Sequence, residues 1–355
     1  MLLPKKYRSE PFDDDFTRSE PFAPEPAQVG VLLVNLGTPD APEPAAIRRY
    51  LAQFLSDPRV VELPPILWQP ILRTAVLGRR PQKLAPRYQS IWLPEGAPLL
   101  VYSEQQVSGL QQLLDQNFAG QNIQVALGMR YGSPSIEQGL DSLREQGCQR
   151  ILVVPLYPQY AASTTASAID EVGRLLAQLR CQPEVRYINS FCAHEGYIQP
   201  LADHIRRYWQ THGTPERLLL SFHGIPKQSV VDGDPYHKEC MHTRHALQEA
   251  LADSGVPIYH SFQSRFGAAE WLQPYTEPLL KQWAQEGVKN IHVTCPGFIV
   301  DCLETLEEID IEYREVFLDA GGEQFGYIDC LNAQPQWIQG LAQLVQQNIQ
   351  GWCTI

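Results

Sequence analysis

The chain has 355 residues with 28 Lys and Arg against 40 Asp and Glu, and this net charge of −12 argues against non-specific nucleic-acid binding, which needs clustered cations. The length predicts two domains, and the 44% apolar and 19% charged residues are ordinary for a globular protein. No run of about 18 uncharged apolar residues occurs and no signal peptide is apparent, so we expect a cytoplasmic protein. The eight scattered cysteines fit reduced thiols better than disulfides.

Residues 1–29 are rich in proline and acidic side chains. They contain a short tandem repeat, RSEPF, at 8–12 and again at 18–22. This composition is typical of a disordered tail, because it offers too little apolar surface to form a core. We assign the tail no chemistry.

From residue 30 the pattern changes to short apolar runs that alternate with helix-length amphipathic stretches. The runs lie at 31–34, 151–154, 218–220 and 291–293. Continuous apolar runs of this length are typical of parallel strands covered by helices on both faces. The sequence therefore predicts an α/β fold.

The two halves of the chain resemble each other. Three segments recur in the same order: 34–39 and 221–226, 130–132 and 265–267, and 145–151 and 285–291. We therefore predict a duplicated domain, with halves at 30–200 and 201–330 and a C-terminal helix and tail at 331–355. Because ligands bind beyond the carboxyl ends of parallel strands, the facing halves should form a cleft there.

The first half carries an extra segment of uncertain role after its first strand. Its apolar side chains are Ile66, Leu67, Trp68, Ile71, Leu72, Val76 and Leu77, within residues 63–77, and the cations Arg73, Arg79, Arg80 and Lys83 are interleaved or follow. One interpretation is a core helix with a basic end. The other is an apolar lip for a flat hydrophobic ligand with acidic groups, and the pattern does not decide between them.

A histidine and a row of carboxylates are predicted to line the cleft. His223, Asp301 and Glu304 each follow a predicted strand, and Asp301, Glu304 and Glu308 have the i, i+3, i+7 spacing of one helical face. Two structural alternatives exist: Asp301 and Glu304 have the spacing of a capping box, and the following acids could form a solvated face. Because clustered acids repel one another, we favour a functional use.

Other motifs carry little chemistry. His237, Cys240, His242 and His245 have a spacing that allows metal binding, but they lack the two separated ligand pairs of a structural zinc site. They lie on a predicted polar helix, and we favour a structural role. The sequence contains no P-loop and no G-x-G-x-x-G motif, so ATP hydrolysis and dinucleotide binding are unsupported.

Two segments resemble the signatures of the ferrochelatases: LLSFHGIP at 219–226 and CPGFIVDCLETLEE at 295–308. Further matches are NLGTP at 35–39, PLYPQY at 155–160 and FQSRFG at 262–267. The resemblance extends from about residue 29 to about residue 347 and is to the proteobacterial type. It implies two Rossmann-like domains of the chelatase type with a porphyrin cleft between them. It also implies ATP-independent insertion of Fe2+ into protoporphyrin IX, which gives protohaem in the terminal step of haem biosynthesis.

The same resemblance assigns roles to individual residues. His223 and Glu304 match the catalytic, metal-binding pair. Asp301 and Glu308, which share a predicted helical face with Glu304, are expected to extend it as a path for protons or metal. Porphyrin-binding positions are matched by Leu36, Arg130, Tyr131 and Trp271, with Arg80 and Lys83 near the propionates.

The sequence departs from the family pattern in places, and alternative functions are considered. Cys302 stands where animal enzymes carry a histidine, and the last segment has only Cys353, so no [2Fe–2S] cluster and no other permanent cofactor is expected. Coproporphyrin III or another divalent metal is an alternative substrate. A non-catalytic porphyrin or haem carrier is a further alternative, although it needs no carboxylates facing a histidine. Transient contact with the inner-membrane surface or with the preceding haem-pathway enzyme is also left open.

Overall fold

The computed structural model describes residues 28–118, 121–267 and 269–353. The tail predicted for residues 1–29, with its repeat, lies outside this range except for its last two residues. Gln28 and Val29 begin the first strand, and Val29 is buried. The first strand therefore begins two residues before the predicted end of the tail.

The helices and strands alternate along the chain as predicted. The first half comprises strands β1 (Gln28–Asn35), β2 (Ile123–Met129), β3 (Cys148–Pro155) and β4 (Glu184–Tyr187), helices α1 (Pro44–Phe54), α2 (Pro65–Ile71), α3 (Leu77–Ile91), α4 (Pro98–Asn117), α5 (Ile136–Glu145) and α6 (Ser167–Leu176), and two π-helical segments, π1 (Leu72–Val76) and π2 (Ala162–Ala166). The second half comprises strands β5 (Arg217–His223), β6 (Ile258–Gln263), β7 (Asn290–Thr294) and β8 (Gln324–Ile328), helices α7 (Glu195–His212), α8 (Lys227–Val231), α9 (Tyr236–Ala250), α10 (Thr276–Gln285), α11 (Arg314–Asp319) and α12 (Pro335–Asn348), a 3₁₀ turn (Ala252–Ser254) and the π-helix π3 (Leu303–Tyr313).

Each half contains a four-stranded parallel sheet. The strand orders are β2-β1-β3-β4 and β6-β5-β7-β8, so each strand of one sheet has a counterpart at the same place in the other. The central strands β1 and β5 are almost wholly buried, which explains their uninterrupted apolar sequences. The predicted α/β fold with two equivalent parallel sheets is confirmed.

The two halves are joined by secondary structure and not by an irregular linker. Helix α7 runs through the boundary predicted between residues 200 and 201. Helix α12 packs against both α7 and α4. The end of α12 and the residues after it contact β4. The Arg186 guanidinium on β4 donates to the carbonyls of Asn348 (2.8 Å) and Gln350 (2.9 Å) and lies 4.0 Å from the Trp352 ring centroid. The C-terminal segment thus fixes the edge strand of the first half.

Hydrogen bonds also connect the halves beside the cleft. The amide of Tyr160 donates to Glu239 Oε2 and the amide of Ala162 to Asp234 Oδ2, each at 2.7 Å. These carboxylates therefore hold the segment after β3 against the start of α9. No helix among the described residues is both long and apolar enough to cross a bilayer.

Candidate active site

His223 is the last residue of β5, at the carboxyl edge of the second sheet. Its Nδ1 lies 2.6 Å from the carbonyl oxygen of Gly224, and its own carbonyl accepts a hydrogen bond from the Tyr236 hydroxyl at 2.9 Å. Because a carbonyl oxygen can only accept, Nδ1 carries the hydrogen, and in the neutral ring the lone pair is on Nε2. The imidazole is therefore oriented to accept a proton or bind a metal through Nε2.

Gly224 is required by the close packing behind this histidine. A Cβ at this position would lie 2.8 Å from the Gln263 carbonyl oxygen and 3.0 Å from the Trp271 ring. The rings of Trp271 and Phe298 lie 6.4 and 6.3 Å from the imidazole, centroid to centroid. His223 is thus half-buried between two aromatic side chains, one of which, Trp271, is a predicted porphyrin-binding residue.

Two of the three predicted carboxylates, Glu304 and Glu308, lie on a π-helix, and this corrects the sequence prediction. The i, i+3, i+7 spacing placed Asp301 on one helical face with Glu304 and Glu308, but π3 begins at Leu303, after the N-cap Cys302, so Asp301 lies outside it. The capping box is formed by Cys302 and Thr305, so the alternative pairing of Asp301 with Glu304 is wrong. In a π-helix the hydrogen bonds run from i to i+5, so residues four or five apart share a face. The acids aligned on π3 are therefore Glu304, Glu308 and Glu312.

Asp301 precedes π3 and is almost fully buried, with 3% of its surface exposed. Its carboxylate accepts hydrogen bonds from the Tyr327 hydroxyl (2.5 Å), Asn332 Nδ2 (2.7 Å) and the Thr305 hydroxyl (2.9 Å). These donors occupy most of its lone pairs, so Asp301 anchors the start of π3 inside the second half.

Glu308 is held in a similar way. Its oxygens accept hydrogen bonds from the Ser264 amide (2.8 Å), the Ser264 hydroxyl (2.5 Å) and the Tyr313 hydroxyl (2.8 Å). The structure therefore fixes Glu308 to the loop that follows β6.

Glu304 has a different environment. Burial and then the Glu304 charge raise the pKa of the Tyr88 phenol, and the same two effects raise the pKa of the Cys302 thiol, which also hydrogen-bonds to Glu304. Burial lowers the pKa of Arg80, and the nearby Glu304 charge opposes that effect. Apart from Cys302, the residues described place no hydrogen-bond donor on its carboxylate. Glu304 thus faces side chains of the first half across the cleft.

Gln263 connects the histidine to this helix, a role that the sequence analysis missed. It pairs with His223 in the β5–β6 register, and its backbone oxygen accepts from the Gly224 amide at 2.8 Å. Its side-chain Nε2 donates to the Glu304 carbonyl at 2.7 Å, and its Oε1 accepts from the Ser221 hydroxyl at 2.8 Å. The match of residues 262–267 to the family signature was the available signal.

The predicted porphyrin-binding residues of the first half follow the ends of two neighbouring strands. Leu36 follows β1 and is half-buried, and its carbonyl accepts from the Tyr131 amide at 2.9 Å. Arg130 and Tyr131 follow β2. Leu36 and Tyr131 pack into the same apolar cluster as α1 and α3. The structure therefore brings these three residues together at the carboxyl edge of the first sheet.

Asp57 and Ser167, which the sequence did not single out, fix Arg130 and Tyr131. Arg130 Nη2 lies 2.5 Å and the Tyr131 hydroxyl 2.8 Å from Asp57 Oδ2, and Arg130 Nε donates to the Ser167 hydroxyl at 2.7 Å. Burial raises the pKa of Asp57, but hydrogen bonds from Ser167, the Arg59 amide and Tyr131, with the Arg130 charge, outweigh it and lower the pKa. Both predicted residues are therefore rigidly held.

The segment at residues 63–77 is exposed in large part, which argues against the core-helix interpretation. Trp68, Leu72 and Leu77 are buried, and Trp68 Nε1 donates to the Leu55 carbonyl at 2.6 Å. Four other apolar side chains face outward, and we call them the lip: Leu63, Ile66 (84% exposed), Leu67 and Ile71. A core helix would not expose them, so the lip interpretation is favoured.

The two predicted propionate-binding cations lie on α3. The Arg80 guanidinium carbon is 4.7 Å from the ring centroid of Phe266, which lies on a loop of the second half. The Lys83 side chain is exposed. Arg80 therefore reaches a side chain of the second half, and Lys83 lies on the exposed surface of α3.

The His237, Cys240, His242 and His245 cluster does not converge. Cys240 is fully buried and the His237 ring packs 5.9 Å from Phe262. No group of three or more His, Cys, Asp or Glu side chains suited to hold a metal ion is found in the described part of the chain.

Two equivalent parallel sheets, with a histidine at a strand end and a carboxylate on π3 of the same half, are the features of a chelatase of the two-domain type. SirB from Bacillus subtilis with Fe3+ has this fold, with a TM-score of 0.53 at 13% identity over 91% of this chain and 96% of that one. The sirohydrochlorin chelatase SirB from Bacillus subtilis subspecies spizizenii in complex with cobalt gives a TM-score of 0.50 at 13% identity, over 90% and 94%. These likenesses establish the fold alone.

The chain belongs to the ferrochelatase family, whose model, described as Ferrochelatase, matches residues 28–349. It is 52% identical over 354 residues to the ferrochelatase of Bordetella parapertussis. The matched region covers 99% of this chain and 97% of that protein. The ferrochelatase of Bordetella pertussis shows the same identity and coverage. The predicted family and its proteobacterial character are confirmed.

Proposed function

We propose that this chain inserts Fe2+ into protoporphyrin IX without ATP and releases protohaem, as the terminal step of haem biosynthesis. The observation that carries the proposal is the placement of His223, with its Nε2 lone pair available, at the end of β5 and of Glu304 on π3, which Gln263 links to each other. Membership of the ferrochelatase family over nearly the whole chain supports it.

The reaction needs a proton acceptor and a transient metal ligand. Fe2+ replaces the two pyrrole N–H protons of the porphyrin, so two protons must leave the macrocycle for each metal ion that enters. We assign proton acceptance to His223 Nε2, because a neutral imidazole can take a proton near neutral pH. Glu304 would hold Fe2+ while its water ligands are exchanged, since carboxylates bind this ion reversibly.

The surrounding residues would bind and orient the flat substrate. Leu36 and Trp271 offer apolar contact near the strand ends, and Arg80 and Lys83 would pair with the two propionates. Arg130 is held by Asp57, so it would need no reorganisation on binding. Tyr131 is only 2% exposed, so it would support the wall of the site from behind. The path for protons or metal through Asp301 and Glu308 stays a prediction, and their occupied lone pairs favour an anchoring role.

Turnover of two porphyrins by the purified chain tests the proposal. Absorbance under anaerobic conditions should show Fe2+ insertion into protoporphyrin IX faster than into coproporphyrin III, because the exposed apolar lip favours the porphyrin with fewer carboxylates. Faster coproporphyrin turnover would support the alternative substrate. Tight porphyrin binding with no metalloporphyrin formed would support the carrier alternative.

We further propose that the lip contacts the membrane surface, where the porphyrin is supplied. Ile66→Asp should reduce co-sedimentation with vesicles of mixed neutral and anionic phospholipid by roughly tenfold, because burying one such side chain is worth about 1.5–3 kcal/mol. Leu318→Asp, at another partly exposed apolar position, on α11, is the control and should leave binding unchanged. Equal binding by Ile66→Asp and the unaltered chain would refute lip contact with the membrane.

The expected absence of a [2Fe–2S] cluster can be checked on the purified protein. Such a cluster normally takes four cysteine ligands, and Cys353 is the single cysteine of the last segment. We expect no iron–sulfur charge-transfer absorption after aerobic or anaerobic purification. Stoichiometric iron and acid-labile sulfide in the protein would show that this expectation is wrong.

A further inference from the structure

Arg87 on α3 contacts the helix that carries Glu304, although 220 residues separate the partners. Its Nη1 lies 3.0 Å from Glu307 Oε2 and 3.0 Å from Glu312 Oε2, both on π3. One guanidinium nitrogen thus joins two carboxylates of the second half to a helix of the first half. Arg87 belongs to none of the predicted sites or family signatures.

The pair involves a largely buried acid. Only 11% of the Glu307 side chain is exposed, whereas Arg87 and Glu312 are about half exposed. Burial raises the pKa of Glu307, the Arg87 charge lowers it, and the charges of Glu312 and Glu308 raise it further. The ionised form of Glu307 therefore depends on Arg87, because its other charged neighbours are acids.

The contact joins the two elements that the proposed reaction must hold in register. Helix α3 carries Arg80 and Tyr88, and the Glu304 charge acts on the pKa of each, although burial is the larger cause for both. Helix π3 carries Glu304, and Leu303 at its first position packs into the apolar cluster beneath the lip. Arg87 is adjacent in sequence to Tyr88, so its ion pairs fix α3 to π3 close to the point where Tyr88 approaches Glu304.

We propose that Arg87 is a positioning residue, which braces the porphyrin-binding helix α3 against π3 and so sets the place of Glu304 relative to the bound porphyrin. This inference rests on the proposed function of Glu304. The brace is needed because Glu304 and the lip belong to different halves of the chain. Without it, the metal ligand and the porphyrin would be positioned independently of each other.

Four variants separate bracing from charge neutralisation. Arg87→Ala removes the brace and leaves Glu307 as an unpaired buried acid, whereas Arg87→Ala combined with Glu307→Gln removes both. Arg87→Lys keeps the charge. Arg49→Ala is the matched control, because Arg49 on α1 forms an ion pair with Asp40 (2.9 Å) in which both side chains are exposed.

The readouts are the melting temperature, kcat/KM for Fe2+ and hydrogen–deuterium exchange of residues 77–91 and 303–313. Arg87→Ala should lower the melting temperature, speed exchange in both segments and lower kcat/KM by roughly 10- to 100-fold, because small misplacements of a reacting group have effects of that size. The double variant should regain the melting temperature but keep the fast exchange and the low rate. Arg87→Lys should recover part of the rate, and Arg49→Ala should match the unaltered chain.

Recovery of both rate and exchange in the double variant would overturn the inference, since Arg87 would then only neutralise a buried charge. Unchanged exchange in Arg87→Ala would overturn it whatever the activity. A failure of the proposed function would look different: the unaltered chain would not insert Fe2+, or Glu304→Gln would keep its rate. In that case the hydrogen–deuterium exchange data would still show whether Arg87 holds α3 against π3.

Discussion

Replacing His223 by alanine is expected to reduce the rate of Fe2+ insertion by about 10²- to 10⁴-fold, the range typical for loss of a positioned acid or base. Protoporphyrin affinity should stay close to that of the unaltered chain. The ring contributes little contact area, because the aromatic side chains beside it and the lip supply most of the apolar surface. The insertion rate from absorbance and the affinity from porphyrin fluorescence quenching are the two measurements.

The expected loss follows from the tautomer of His223. The hydrogen bond from Nδ1 to the Gly224 carbonyl leaves Nε2 as the available acceptor, and alanine offers no substitute. His212→Ala is a suitable control, because His212 ends α7 and is exposed. An insertion rate for His223→Ala equal to that of His212→Ala would rule out the role assigned to His223.

Glu304→Gln should lower the insertion rate by about 10²-fold or more and leave the melting temperature nearly unchanged. Glutamine keeps the size of the side chain but loses the negative charge that binds Fe2+. Stability should be preserved because the N-terminal cap of π3 is formed by Cys302 and Thr305. Were Glu304 itself a capping residue, its loss would cost about 1 kcal/mol and little activity.

The control for this prediction follows from the fold. Glu312, also on π3, is unsuitable as the control, because it is bound to Arg87 and would test the brace instead. Glu315, which is exposed on α11, gives the same change of charge without that contact. If Glu304→Gln kept most of its rate and melted a few degrees lower than Glu315→Gln, the role of Glu304 would be structural.

The sheets and the strand-end histidine could be predicted because their signals are local. A strand buried on both faces needs an uninterrupted apolar run, and β1, β3, β5 and β7 all have one. Ligands of parallel sheets bind at the carboxyl edge, so a polar residue such as His223 at the end of such a run was informative.

The π-helix could not be predicted, because periodicity arguments assume 3.6 residues per turn. That assumption grouped Asp301 with Glu304 and Glu308, whereas Asp301 lies outside π3 in a cage of three donors. The aligned set includes Glu312 instead. Only the hydrogen-bond pattern of the folded chain distinguishes the two groupings.

The supporting contacts were also beyond the sequence, because they join distant segments. Asp57 meets Ser167 across 110 residues, and Arg87 meets Glu307 across 220. The exposure of the lip could not be predicted for a different reason. Its apolar sequence pattern suits a core helix equally well, and whether the side chains are exposed depends on what packs against them. Such partners can be read only from the fold.

The most direct test of the central claim is the position of a metal ion bound in the cleft. Co2+ can stand in for Fe2+ in crystals of the unaltered chain soaked with that ion, and its anomalous scattering locates it. Our account predicts a peak at about 2.0–2.2 Å from a Glu304 carboxylate oxygen or from His223 Nε2, the usual range for oxygen and imidazole ligands. A peak on Asp301 or Glu308, with none at Glu304 or His223, would contradict it.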